Sequence, residues 1–175
     1  PTDAIADWID EDNSPHPDGA EADWYRAQKQ PVRPHNKPLT TLEEIKRIKG
    51  VAEVFDKIRP FVTVYGDMPA GAPAAPININ TAQREVLQSL DDRIDDALAR
   101  RIIEHRAVTP FKNASELAQV PGMESITTGL LTRISTKGSV YRIRSEGVVN
   151  GTTRTVEAVV RMAGSQASVL YWREY

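Results

Sequence analysis

The sequence predicts an α+β protein in which a helical region built from two copies of one unit precedes a C-terminal antiparallel sheet. Three observations carry this. Residues 38–51 lie without a gap on residues 110–123 at an offset of 72. Pro38, Glu44 and Gly50 coincide with Pro110, Glu116 and Gly122, and Leu39, Leu42, Ile45, Ile48 and Val51 meet Phe111, Ala114, Leu117, Val120 and Met123. From Ser139 the apolar period changes from about four to two. Asn150-Gly151, the dipeptide best suited to a tight hairpin, then separates two β-prone runs.

Each copy reads as a short helix entered after Pro and stopped at Gly50 or Gly122, followed by a second apolar segment. That is a helix-hairpin-helix pattern, and a repeat of this length outranks local motifs as a guide to architecture. The expected division is a helical domain over 1–134, with a linker near 66–76, and the strands of 135–175.

In order along the chain, residues 4–9 predict the end of a helix with Ile5, Trp8 and Ile9 on one stripe. Residues 10–38 interrupt the first unit with a Pro- and Asp-rich stretch that forbids a long helix. Residues 51–59 predict the second helix of the first hairpin, and residues 61–65 are β-prone. A helix capped by Asn80 or Thr81 is expected to run to Leu90, and another from Asp96 to His105. Helix is expected again to about Ile134. The predicted strands are 140–147, 153–161 and 168–175. Strict alternation puts Val156, Ala158 and Val160 on one face of the second strand. In the third it puts Val169, Tyr171 and Arg173 on one face, with Leu170 and Trp172 opposite.

Composition narrows the function classes. A formal charge of -2 lacks the basic excess of a strong nucleic-acid binder, and without Cys there is neither a disulfide framework nor a thiolate site. No apolar run approaches the ~20 residues that cross a bilayer. The chain opens at Pro1 with neither Met nor a leader, and the expectation is that the natural protein continues upstream. His16, His35 and His105 are scattered with no nucleophile partner, so the chain is expected not to be an enzyme and to take no small-molecule substrate.

One stretch concentrates donor chemistry. Asp7, Asp10, Asp12, Glu21 and Asp23 are hard oxygen donors around the turn at Pro15, Pro17 and Gly19, a set suited to calcium rather than zinc. The other reading of the same residues is an acidic loop that is simply solvated.

Asp7, Trp8, Ile9 and Asp10, with Gly19, Ala20, Glu21 and Tyr25, form a specific pair of motifs. With Pro38, Glu44, Gly50, the run from Ile77 to Thr81 and the strand residues Val159, Val160, Arg161 and Trp172, they resemble the large minor pseudopilins of the type II secretion system, the GspK family. That resemblance implies a pilin-like fold whose sheet packs on an upstream hydrophobic helix in the bacterial inner membrane, and a large inserted α-helical domain that binds calcium. It further implies a non-enzymatic subunit at the tip of the periplasmic pseudopilus, initiating its assembly with the GspI and GspJ subunits and with GspH as a further candidate partner. The competing expectation is a DNA-binding helix-hairpin-helix protein of the competence-receptor type. It needs hairpin backbone N–H groups open to phosphate, and the hairpins here carry Asp91, Asp92, Asp95 and Glu124 instead.

Overall fold

A computed structural model describes residues 2–29, 31–66 and 74–175. Backbone contacts divide the chain into Pro1–Val64 and Tyr65–Tyr175. The expected boundary at 134/135 therefore falls inside the second unit, and most of the expected linker lies outside the described residues.

In the first unit, α1 (Thr2–Ile9) buries Ala4, Asp7 and Trp8. Helix α2 (Ala22–Arg26) lies within the stretch read as loop, and Leu42–Arg47 forms a 3-10 segment before α3 (Phe55–Ile58). Their apolar faces meet in one core of Ala4, Trp8, Ala20, Tyr25, Leu42, Ile45, Ile48, Val51 and Phe55. The Trp8 and Tyr25 rings meet edge to face at 5.0 Å, an arrangement that matches positive ring edge to negative ring face. The β-prone residues 61–65 form no strand. Pro60 instead sits in a 3-10 turn over Arg59–Phe61, where its fixed φ is suited and its missing N–H costs no ladder bond.

Ahead of the expected helix the second unit forms β1 (Ile77–Asn78). Asn78 and Asn80 draw the backbone away from a helix: Asn80 N–H donates to Asn78 Oδ1, and the Asn80 amide donates to Phe111 O and Thr136 O while accepting from Phe111 N–H. Helix α4 (Arg84–Gln88) starts only after Gln83, so neither Asn80 nor Thr81 caps it. Helix α5 (Asp96–Val108) is capped by Asp95, whose Oδ1 accepts from Leu98 N–H at 2.7 Å. A 3-10 segment at Ala114–Gln119 and α6 (Thr127–Leu130) follow, and β2 (Ile134–Ser135) pairs in parallel with β1. Fifteen buried side chains from Ile79 to Ile134 close this core.

The sequence repeat has a structural counterpart at the same offset. Both 3-10 segments start one residue after a polar side chain that accepts from the glutamate N–H, Thr41 for Glu44 and Asn113 for Glu116. In return the glutamate carboxylate accepts from Thr40 N–H or Lys112 N–H, a reciprocal cap. Gly50 and Gly122 follow at φ +71° and +98°, in the left-handed region that favours glycine. The first element of each copy is thus a 3-10 turn where the sequence reads as a helix, because the chain leaves it after only six residues.

Strands β3 (Val140–Val149), β4 (Thr152–Ala163) and β5 (Gln166–Glu174) form an antiparallel sheet in the order β3-β4-β5. Asn150 and Gly151 take φ +49° and +77°, the two positive values of a type I′ turn, and set Val149 opposite Thr152. The third strand departs from strict alternation. Val159 pairs with Tyr171 and Val160 with Val169, so Leu170 is an extra residue in a bulge. Val169 and Trp172 consequently share the face of Val160 and Ala158, correcting the expectation that they oppose each other. Tyr141 and Ile143 join them across β3, giving an apolar face on which Val169 and Trp172 are 60% and 62% exposed. On the other side Tyr171 meets the ring of Tyr65 at 6.3 Å.

Asn80 is the polar fastener of the second core, satisfying three backbone groups from two other segments. Asn80→Ala leaves them without that partner and is expected to lower stability by roughly 2–3 kcal/mol in urea unfolding.

Candidate metal centre

The acidic motif converges because α1 ends where the chain must turn back. Asp7, on the buried face of α1, accepts from His16 N–H through both carboxylate oxygens at 3.2 and 3.3 Å, and its Oδ1 also meets the His16 ring. His16 O in turn accepts from Gly19 N–H, closing a tight turn beneath the carboxylate. Gly19 is there for space: a Cβ at this position would lie 1.9 Å from Asp7 Oδ2. Lys49 Nζ donates to Gly19 O at 2.8 Å, and Lys49 N–H donates to the hydroxyl of buried Tyr25, which fixes the far side of the turn.

Around this anchor, ligand atoms of Asp10, Asp12 and Glu21 lie within 4.8 Å of one another, as do those of Asp7, Asp10 and His16. Asp10 belongs to both groups. Glu21 is only 6% exposed, and among the described residues neither of its carboxylate oxygens has a hydrogen-bond partner; nor does Asp10 Oδ1. Burial pushes the Glu21 and Asp10 carboxyls up, and the neighbouring carboxylates push them further. Burial acts on Asp7 in the same direction, but hydrogen bonds from the His16 ring and backbone and from Ala20 outweigh it and hold Asp7 below the usual carboxylate range. The Asp7 carboxylate is thus paired, while Glu21 is buried and Asp10 half-buried beside like charge. A hard cation would neutralise such an arrangement, since unpaired buried carboxylates are costly and oxygen-only donor sets suit calcium.

Four of the five expected donors, Asp7, Asp10, Asp12 and Glu21, fall in these two groups. Asp23 does not join them, because its side chain is 91% exposed and pairs with Arg26 at 3.0 Å; α2 turns it away from Glu21. His16 is the residue that sequence reasoning left in the solvent. Its contact with Asp7 depends on the turn at Gly19, and the nine-residue separation gave no periodic signal.

The hairpins weighed for DNA are occupied by their own acids. Gly122 N–H donates to Glu124 Oε2 at 2.9 Å, and Arg93 N–H donates to Asp91 Oδ1 at 3.0 Å. Arg101 is spent on Pro121 O. Phosphate would have to displace carboxylates already in place, which disfavours the DNA-binding alternative.

Gly19→Ala is expected to expel the Asp7 carboxylate from the turn and destabilise the first unit by about 1–3 kcal/mol, read as a lowered melting temperature. In chelator, the raised Asp10 and Glu21 make the folded state bind more protons than the unfolded one, so stability is present at low pH and is lost as pH rises from the ordinary carboxylate range through their folded values. His16, also raised, acts in the same sense at higher pH. The melting temperature in chelator should therefore be lower at about pH 8 than at about pH 5.

Two models of one family, described as Type II secretion system (T2SS), protein K, match residues 1–67 and 77–137. Among individual relatives, a type II secretion system protein K from Klebsiella pneumoniae is 26% identical over 73% of this chain and 39% of its own length. One from Pectobacterium carotovorum is 36% identical over 46% of this chain and 23% of its own. This chain thus spans well under half of the relatives it matches. A solved structure, the GspK-GspI-GspJ complex from enterotoxigenic Escherichia coli, contains a chain that superposes with a TM-score of 0.71 at 22% identity, over 99% of this chain and 61% of that one. With the matched models spanning most of its residues, the chain belongs to the protein K family of type II secretion systems, the large minor pseudopilins.

Proposed function

We propose that this chain is the periplasmic part of a non-enzymatic structural subunit at the tip of the type II secretion pseudopilus, where it assembles with the GspI and GspJ subunits, and with GspH as a further candidate, to start pseudopilus growth. The single observation that carries this reading is the likeness, over nearly the whole chain, to the protein K fold whose solved relative is a complex with those two subunits. The apolar sheet face bearing Ile143, Val169 and Trp172 supports it, since an exposed patch of that kind marks a surface built to be covered. In this reading an upstream hydrophobic helix both covers that face and holds the protein in the inner membrane. No helix among the described residues is long and apolar enough to cross a membrane itself. The paired 3-10 turns and short helices at an offset of 72 are, in the same reading, two degenerate helix-hairpin-helix units of a domain inserted into the pilin fold.

Calcium belongs to the proposal as a structural ion of the first unit. Asp10, Asp12 and Glu21 would hold it, with Asp7 and His16 forming a second group through the shared Asp10. Its contribution would be to neutralise the buried carboxylates and fix the turn between α1 and α2.

Calcium at a hundredfold excess over its dissociation constant should stabilise the chain by about 2.7 kcal/mol relative to chelator. The double substitution Asp12→Ala with Glu21→Ala should abolish that difference, and identical melting curves with and without calcium in the unsubstituted chain would remove the ion from the proposal. For the partners, a version carrying its upstream helix but lacking residues 7–134 should still co-purify with GspI and GspJ. Loss of the complex from a folded deletion variant would assign the interface to the helical part.

A further inference from the structure

Glu21 faces two ways. Its carboxylate, unpartnered among the described residues, belongs to the Asp10, Asp12 and Glu21 group, and the residue also borders a cavity of about 1010 Å³ in the first unit. Three carboxylates leave calcium short of its six to eight oxygens even when some bind through both atoms. The cavity wall is not neutral: Asn13, Arg26, Arg33, His35 and Asn36 all border it. Asp23 lines it too but is paired with Arg26, whereas Arg33 is exposed and has no acidic partner among the described residues. Asn36 ties this wall to the acidic turn by donating to Asp12 O at 2.7 Å. Pro31 and Pro34 stiffen the backbone on either side of Arg33.

We infer that the cavity is a binding site for a carboxylate, supplied by an acidic protein segment or a small acid, which completes the coordination of the cation at Glu21 while Arg33 pairs with it. The inference rests on the calcium reading above. Its physical basis is charge: a cation behind Glu21 reverses the sign at the cavity floor, so an anion finds the cation on one side and the Arg33 guanidinium on another. The volume is that of a small-ligand site, large enough for one or two side chains of a docked segment.

Terbium, an oxygen-seeking stand-in for calcium, tests this on the 175-residue chain, since its luminescence lifetimes in H₂O and D₂O count bound water. Acetyl-Gly-Asp-Gly-amide should displace water from the bound ion, and the same peptide with Asn in place of Asp should not. Arg33→Gln should weaken the Asp peptide about fivefold. Acetate run in parallel tells the sources apart: an equal response means a free acid suffices, and a response to the peptide alone means a chain segment is required. Terbium that binds, is lost in Glu21→Gln, and keeps its water with every carboxylate overturns the inference while leaving the metal reading intact. A peptide response that Arg33→Gln leaves unchanged overturns the role of the cavity. Failure of terbium to bind at all overturns both.

Discussion

The reciprocal cap at the start of each 3-10 segment is the interaction on which the helical architecture depends. A short turn of this kind leaves several backbone groups without intrahelical partners, and a glutamate two residues inside satisfies the one that would otherwise set the entry angle of the chain. In the second unit Glu116 does only this, at the surface, with Lys112 and Asn113. In the first unit the equivalent Glu44 is buried and does more: Trp8 Nε1–H donates to it at 3.0 Å, His35 Nδ1 lies 2.9 Å away, and the Thr40 hydroxyl donates to its other oxygen. These contacts outweigh the burial that would raise its carboxyl and leave it below the usual range. The same local device is thus converted from a cap into a joint between α1, the 31–40 segment and the 3-10 turn.

That joint determines where the acidic residues end up. Trp8 is held by Glu44 on one side and Tyr25 on another, so its neighbour Asp7 has one direction left to point, toward the turn at Gly19. The first unit therefore contains two buried carboxylates, Glu44 and Asp7, satisfied by hydrogen bonds, and a third, Glu21, left without any among the described residues. The contrast is what separates a structural acid from a site, because burial alone is common to all three.

The sequence was legible where a pattern repeats and illegible where one residue acts across space. The offset of 72 foretold both Gly turns and aligned the two glutamates without showing that they cap, and the period-two runs with Asn150-Gly151 foretold the hairpin to within a few residues. What failed were propensities overruled by side-chain bonding. Asn80 looks like a helix cap and is instead a bridge to Phe111 and Thr136. The β-prone run at 61–65 has the composition of a strand but no partner edge to pair with among the described residues. At the acidic motif, donor type singled out the stretch, yet spacing could not separate Asp23 from Glu21, two residues apart and on opposite sides of a helix start.

The bulge at Leu170 makes the last strand sensitive to length in a way that composition does not reveal. With the extra residue present, Val169 and Trp172 fall on one side although they are three apart, and the aromatic and aliphatic surface is continuous across all three strands. Were the same nine residues to pair without the bulge, Leu170 would take the place opposite Val160 and Val169 would pass to the side of Arg142, splitting that surface in two. Exchanging Leu170 for another side chain leaves the count intact. Losing Leu170 outright would also keep Val169 and Trp172 together, two apart in a regular strand, so what this surface cannot tolerate is a slip of register and not a change at the bulge itself.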